Sequence, residues 1–474
     1  MRYRILFFLL ISAFFVKADI KLPALVGDNM VLQQNATINI WGKAKANSKV
    51  TVKVGWDNNV YSTSSDAVGN WEIKVKTIGG SQTAYEMMIS DGNEINLKNI
   101  LLGEVWLCGG QSNMEMSTRG YTNQPIDNAL DEMMDFDYPS IRFFLVQKNF
   151  SIEVQSDIIG KWNLLNPKVI ETASVVGLNF AKIINKILNV PVGVIGCYWG
   201  GSTIEAWMSE ESLREFGPVI INKESLDRKN PNIHRVANMT PTVLYNAMLK
   251  PISRYAISGA LFYQGEANVN NPDRYQKLLP AMVKNWRKDF EINFPFYYVQ
   301  IAPFRYGGSN EIEAALLREA QYKAKTDIPN SGIVSTIDIG SESTIHPSDK
   351  RTVAKRLAYL ALYKTYKING LNGETPYYVS HTIEGDKAII TLENIGYGLH
   401  SKTERFMGFE IAGEDKVFYP ATVKNVNRVN NKLIVFSDRV KKPVAVRYAF
   451  KNYQYGNLYN SYGIAALPFR TDSW

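Results

Sequence analysis

The sequence predicts an α/β protein with a parallel sheet at its centre, flanked in the chain by a β region on each side. Three observations lead there. Near-continuous apolar runs at Val105 to Cys108, Val192 to Cys197, Ile257 to Tyr263, Phe294 to Ile301 and Gly332 to Asp338 read as five strands buried on both faces. Stretches of helical period separate them, for example Val176, Phe180, Ile183, Ile184 and Ile187, or Tyr275, Leu278, Leu279, Met282, Val283 and Trp286. Outside this segment the apolar period drops to two, the mark of strands with one buried face. At 474 residues the chain is also too long for one ordinary core.

In chain order, Arg2 and Arg4 precede an apolar stretch from Ile5 to Val16 broken only by Ser12. It is too short to span a bilayer as a helix, which takes about 20 residues. With small residues at Val16 and Ala18 it reads as a signal peptide over 1–18, with the mature chain starting near Asp19. No cysteine follows for a lipid anchor, so the expected product is secreted or periplasmic, with no membrane insertion. Residues 19–101 follow as a β-sandwich. Val50, Val52 and Val54 alternate with polar residues, as do Trp71, Ile73 and Val75, and turn signals stand at Asp57-Asn58-Asn59, Gly69-Asn70 and Asp91-Gly92-Asn93. The α/β segment occupies 102–368. Residues 369–474 return to β: Tyr377 to Thr382 pairs with Ala388 to Leu392, Val426 to Val429 pairs with Lys432 to Phe436, and Val444 to Phe450 alternates.

The charge pattern narrows the function. The net charge of +8 comes from lysines and arginines scattered among acids, so no nucleic-acid groove is expected. Two cysteines, Cys108 and Cys197, exclude a disulfide scaffold and read as buried free thiols. No grouping of His, Cys and acids has metal-ligand spacing, and no glycine loop suits a nucleotide, so no cofactor is expected.

Sites in parallel α/β sheets lie beyond the carboxyl ends of the strands. After the first strand comes Gly109-Gly110-Gln111-Ser112-Asn113-Met114, and after the second Trp199-Gly200-Gly201-Ser202. After the third comes Gln264-Gly265-Glu266-Ala267-Asn268, and after the fifth Asp338, Glu342 and His346-Pro347. A nucleophile, glycine N–H groups, an amide donor and a histidine base are what acyl transfer needs. Met114 takes the place of the second glycine of G-x-S-x-G, which argues against an α/β-hydrolase elbow.

These segments resemble the sialate O-acetylesterase family. The resemblance rests on Gly-Gly-Gln-Ser-Asn-Met at 109–114, Trp-Gly-Gly-Ser-Thr-Ile-Glu-Ala-Trp at 199–207, Tyr-Gln-Gly-Glu-Ala-Asn at 263–268 and Ile-His-Pro-Ser-Asp-Lys at 345–350. Linking stretches at 240–248 and 317–321, the start of the mature chain at 22–34 and the tail at 457–460 and 468–472 agree as well. The resemblance implies an SGNH hydrolase with a flavodoxin-like sheet, a serine early in the domain and a histidine late. It implies a serine esterase acting on an O-acetylated sugar, first of all sialic acid, with acetylxylan or another polysaccharide as the alternative. A glycan-binding protein without activity is the reading from a different class.

Residue by residue, Ser112 is the expected nucleophile and His346 the base. The oxyanion falls to the N–H groups of Ser112 and Gly201 and to a side-chain amide, Gln264 first and Asn268 second. Gln111, Trp199 and Glu266 are placed at the substrate, Glu266 holding its loop rather than acting as a base, and Trp199 and Trp207 either stacking on a sugar or packing in the core. Many SGNH hydrolases carry an aspartate three residues before the histidine, but Ser343 stands there. Asp338, Glu342, a main-chain carbonyl or a more distant acid are left as orienters, and the reading favours a Ser112–His346 pair with a weak third member.

Overall fold

The computed structural model describes residues 20–307, 311–425 and 431–474. The signal-peptide reading and the strand expected at 426–429 lie outside the described residues. Seven strands form the central sheet: β1 (Glu94–Gly110), β2 (Ile141–Leu145), β3 (Trp162–Leu164), β4 (Val192–Tyr198), β5 (Gly259–Tyr263), β6 (Phe296–Val299) and β7 (Ser331–Val334). Their order is β7-β6-β5-β1-β4-β2-β3, and every neighbouring pair is parallel except β2 with β3. The order reverses at β1, the switch point where an α/β sheet opens a crevice for its ligand.

The expected count of five parallel strands is therefore one short. The sixth, β2, reads Ile-Arg-Phe-Phe-Leu, and Arg142 breaks its apolar run. That guanidinium is nonetheless 3% exposed, because its own side chain donates to the Pro139 carbonyl at the strand entrance. Polar character along the sequence hid a strand that the fold buries.

Helices cover both faces. The chain forms α1 (Ser112–Glu115), α2 (Ala129–Met134), α3 (Val175–Leu188), α4 (Pro272–Phe290), α5 (Glu313–Ala324) and α6 (Lys350–Lys364) around the sheet. The predicted apolar stripe of α4 faces inward, with Tyr275, Leu278, Leu279, Met282, Val283 and Trp286 all buried. The side chain of Ser174 caps α3 through the Gly177 N–H, and that of Asp349 caps α6 through the Thr352 N–H.

β1 is 17 residues long and serves two sheets. Its first half pairs with Tyr85–Ser90 of the N-terminal β region, and its second half lies at the centre of the parallel sheet. The strand thus runs through residue 101, where the change of period suggests a boundary. The strands Lys49–Val54 and Asn70–Lys76 form where alternation predicts them. In the C-terminal region Tyr377–Glu384 and Lys387–Glu393 make the expected hairpin, and Lys432–Phe436 pairs with Thr422–Asn425. The tail docks on the α/β segment through Arg470, whose guanidinium grips both oxygens of Glu319 on α5 at 2.9 and 3.1 Å. Cys108 and Cys197 are free and buried on adjacent strands.

Candidate active site

The four strand-end segments singled out by sequence meet in one place. β1 ends at Gly110, whose φ of +131° and closeness to Tyr263 bar a side chain: a Cβ there would lie 2.2 Å from the Tyr263 oxygen. This turn swings Ser112 to the first position of α1, half-buried at the mouth of the crevice. His346 arrives from the other side on the loop before α6, with Nε2 2.7 Å from Ser112 Oγ. Residues 234 positions apart are thereby within hydrogen-bond reach.

The far side of the imidazole is held by a residue that sequence reasoning missed. Gln124 Oε1 lies 2.6 Å from His346 Nδ1 and also accepts the Thr344 hydroxyl at 2.6 Å. A carbonyl oxygen facing Nδ1 requires the proton there, which leaves the Nε2 lone pair aimed at Ser112. The ring of Tyr121 packs on the imidazole with centroids 4.7 Å apart, and its hydroxyl donates to the Ser112 carbonyl at 3.0 Å. Burial, aided by the nearby Lys350 cation, lowers the His346 pKa to about 4.

Neither candidate acid reaches His346. Asp338 is buried in a two-pronged pair with Arg356 at 2.7 and 2.8 Å. Burial alone would raise its pKa, but the Arg356 hydrogen bonds and charge hold it below the ordinary value. Glu342 is exposed and pairs with Arg305 at 3.6 Å. Asp338 is taken because Arg356 is itself buried and needs a counter-charge.

The turn after β4 passes directly over the serine: a Cβ on Gly200 would stand 3.3 Å from Ser112 Cβ. Gly201 has φ +71° and is exposed, and among the described residues neither its N–H nor that of Ser112 donates within the chain. The turn is anchored by Glu115, which accepts the Gly200 N–H at 2.7 Å and the Lys148 ammonium at 2.5 Å.

The two amide candidates are placed differently. Gln264 is wholly buried and spends its amide on the Ser202 carbonyl (3.0 Å) and Asn268 Oδ1 (2.8 Å), while its oxygen accepts from Tyr275. A strand-end position therefore makes it a core strut. Asn268 is half-buried, accepts from the Ile204 N–H and Gln264 through Oδ1, and donates one Nδ2 hydrogen to Glu205 at 2.9 Å. An amide carries two such hydrogens.

The three residues expected at the substrate are buried. Gln111 is 3% exposed and its oxygen accepts the Gly265 and Ala267 N–H groups at 3.2 and 3.4 Å. Trp199 is also 3% exposed, with the Lys148 ammonium 5.8 Å and the His234 ring 5.7 Å from its ring. Trp207 is fully buried and donates to Ser202. Glu266 is buried, its Oε1 accepts from Asn113, and burial raises its pKa. His381 bonds Tyr378 and His400 stacks on Tyr459, both in the C-terminal β region.

Serine oxygen, neutral imidazole and two free main-chain N–H groups within one crevice are the parts needed to attack an ester carbonyl and hold the resulting oxyanion. Comparison with known proteins agrees with this chemistry. A family described as "Carbohydrate esterase, sialic acid-specific acetylesterase" matches residues 102–362. The crystal structure of a carbohydrate acetylesterase from Xanthomonas citri superposes with a TM-score of 0.86 at 32% identity, covering 96% of this chain and all of that one. A sialate O-acetylesterase from Pongo abelii is 27% identical, over 94% of this chain and 91% of its own length. The Homo sapiens sialate O-acetylesterase is 29% identical, over 74% of this chain and 72% of its own. With residues 102–362 matched, more than half of its length, the chain belongs to the carbohydrate esterase family of sialic acid-specific acetylesterases.

Proposed function

We propose that this chain is an exported serine esterase that removes O-acetyl groups from sugars, with sialic acid as its substrate. The observation that carries the reading is the 2.7 Å approach of His346 Nε2 to Ser112 Oγ at the switch point of the sheet. In the reaction Ser112 Oγ attacks the acetyl carbonyl as its proton passes to Nε2. The imidazolium then returns that proton to the departing sugar oxygen, leaving an acetyl-serine. Water, deprotonated by the same nitrogen, attacks the acetyl carbonyl and acetate leaves as Ser112 regains a proton. The oxyanion of each tetrahedral step is met by the N–H groups of Ser112 and Gly201, with Asn268 as the side-chain donor. Residues 102–368 are the catalytic domain in this reading, 19–101 and 369–474 supporting β domains, and 1–18 the export signal.

The curated relatives named sialate O-acetylesterases support sialic acid. The Xanthomonas relative, named only as a carbohydrate acetylesterase, is the observation favouring the second reading, acetylxylan or another polysaccharide. Acetate release from O-acetylated sialic acid and from acetylated xylan tells the two apart: the first is cleaved at the higher kcat/KM. Binding of either glycan with no cleavage of these or of a chromogenic acetate ester would overturn the enzyme reading.

Gln124 is the orienter. Gln124→Ala removes the acceptor that places the proton on Nδ1, and kcat falls about a hundredfold with KM little changed. Gln124→Glu sets a carboxylate against Nδ1, so imidazolium is favoured and the acid limb of kcat/KM moves upward. A Gln124→Ala enzyme with unchanged kcat would remove the residue from the mechanism.

A further inference from the structure

The main chain on both sides of His346 is held from a single buried point. Lys350, at the start of α6, is 1% exposed, and its ammonium donates to the Pro347 carbonyl at 2.7 Å and to Asn113 Oδ1 at 2.6 Å. Asn113, next in the chain to Ser112, turns its Nδ2 to the Ile345 carbonyl at 3.1 Å and to Glu266. The carbonyls immediately before and after His346 are therefore both bonded, and both bonds lead to the residue beside Ser112. Any amide could serve as the donor to Pro347. A buried ammonium is costly where both of its hydrogen bonds end on neutral oxygens, and burial lowers the Lys350 pKa to about 7, so the cation is complete in the acid range where His346 titrates.

We propose that Lys350 is a positioning residue for the acyl-transfer pair, clamping with Asn113 the chain on both sides of His346 and setting a cation close to the imidazole. The inference rests on the reading of Ser112 and His346 as the reacting pair. Against His346 stand Ser112, Gln124, Thr344 and the Tyr121 ring, none of them anionic. Facing Lys350 are Glu266, Asp349 and the Tyr263 ring at 5.9 Å. With no carboxylate at the imidazole and a cation nearby, the neutral base persists well into acid. The His346 pKa is lowered, so the proton acceptor is present above that value and lost as pH falls through about 4.

The test compares wild type with Lys350→Met, which removes charge and clamp, and Lys350→Gln, which removes charge but keeps a donor. The readouts are the pH profile of kcat/KM on a chromogenic acetate ester and the rate of Ser112 labelling by a fluorophosphonate. Both variants should move the acid limb upward by about one pH unit, as expected when a cation leaves the vicinity of a histidine. Lys350→Met should also lose about tenfold or more in kcat, and Lys350→Gln less, because the clamp is partly kept. An acid limb that stays in place in both, with kcat lowered at every pH alike, would reduce Lys350 to a structural strut and overturn the proposal. If Lys350→Met does not fold, the limb of Lys350→Gln decides. A wild-type protein that neither takes the label nor cleaves the ester would instead sink the underlying esterase reading.

Discussion

Ser112→Ala and His346→Ala each take turnover of an acetate ester to background, a loss on the order of a millionfold, with the protein still folded. That is the scale on which a serine and its base fail when either is removed, since the two act as one unit. Here the unit is a 2.7 Å contact with the imidazole proton held on the opposite nitrogen. Without Oγ no acetyl-serine forms, and without Nε2 the serine proton has no acceptor. Folding is spared because Ser112 and His346 are only half-buried, and the clamp at Ile345 and Pro347 uses main-chain carbonyls that alanine retains. Circular dichroism and thermal melts establish the fold, and single-turnover assays measure the chemistry. The double variant should be no worse than either single one. Turnover within a hundredfold of wild type in either single variant would mean that the reacting pair lies elsewhere.

Asn268→Ala and Gln264→Met should part company. The first removes a side-chain donor from the proposed oxyanion site and costs about a hundredfold or more in kcat, with a small effect on KM. The second leaves the Ser202 carbonyl without its buried donor, so it lowers Tm while the folded fraction keeps most of its kcat. The measurements are Michaelis–Menten parameters at one pH and a melting curve for each variant. A large kcat loss at Gln264 with unchanged Tm, together with a normal Asn268→Ala enzyme, would restore the order that strand position suggests.

The different placement of those two amides shows where sequence reading runs out. Gln264 ends a strand, and a polar residue there is ordinarily at the crevice. Whether it faces the crevice or the core depends on what packs behind it, and Tyr275 and Gln321 lie behind this one. Trp199 is a similar case, since a tryptophan beside a glycine turn suits a sugar as well as a core. The fold buries it, with His234 and Lys148, 35 and 51 positions away, packed near its ring. β2 escaped notice because Arg142 breaks its period, and only its three-dimensional partners make that arginine compatible with burial.

Local chemistry determined the strands, the glycine turns and the serine and histidine of the site. Strongly apolar runs have one low-energy place, a sheet covered by helices on both faces, and the switch point of such a sheet fixes where its loops converge. The identity of the group behind His346 was settled only by tertiary structure. A carboxylate near the histidine in sequence is drawn to the strongest buried cation available, and for Asp338 that is Arg356, so proximity along the chain did not become contact. Orienting an imidazole requires one well-placed acceptor oxygen, which a glutamine in an unremarkable turn supplies as well as an acid. No spacing marks such a residue, because the constraint on Gln124 is its place in the fold, 222 positions from the ring it holds.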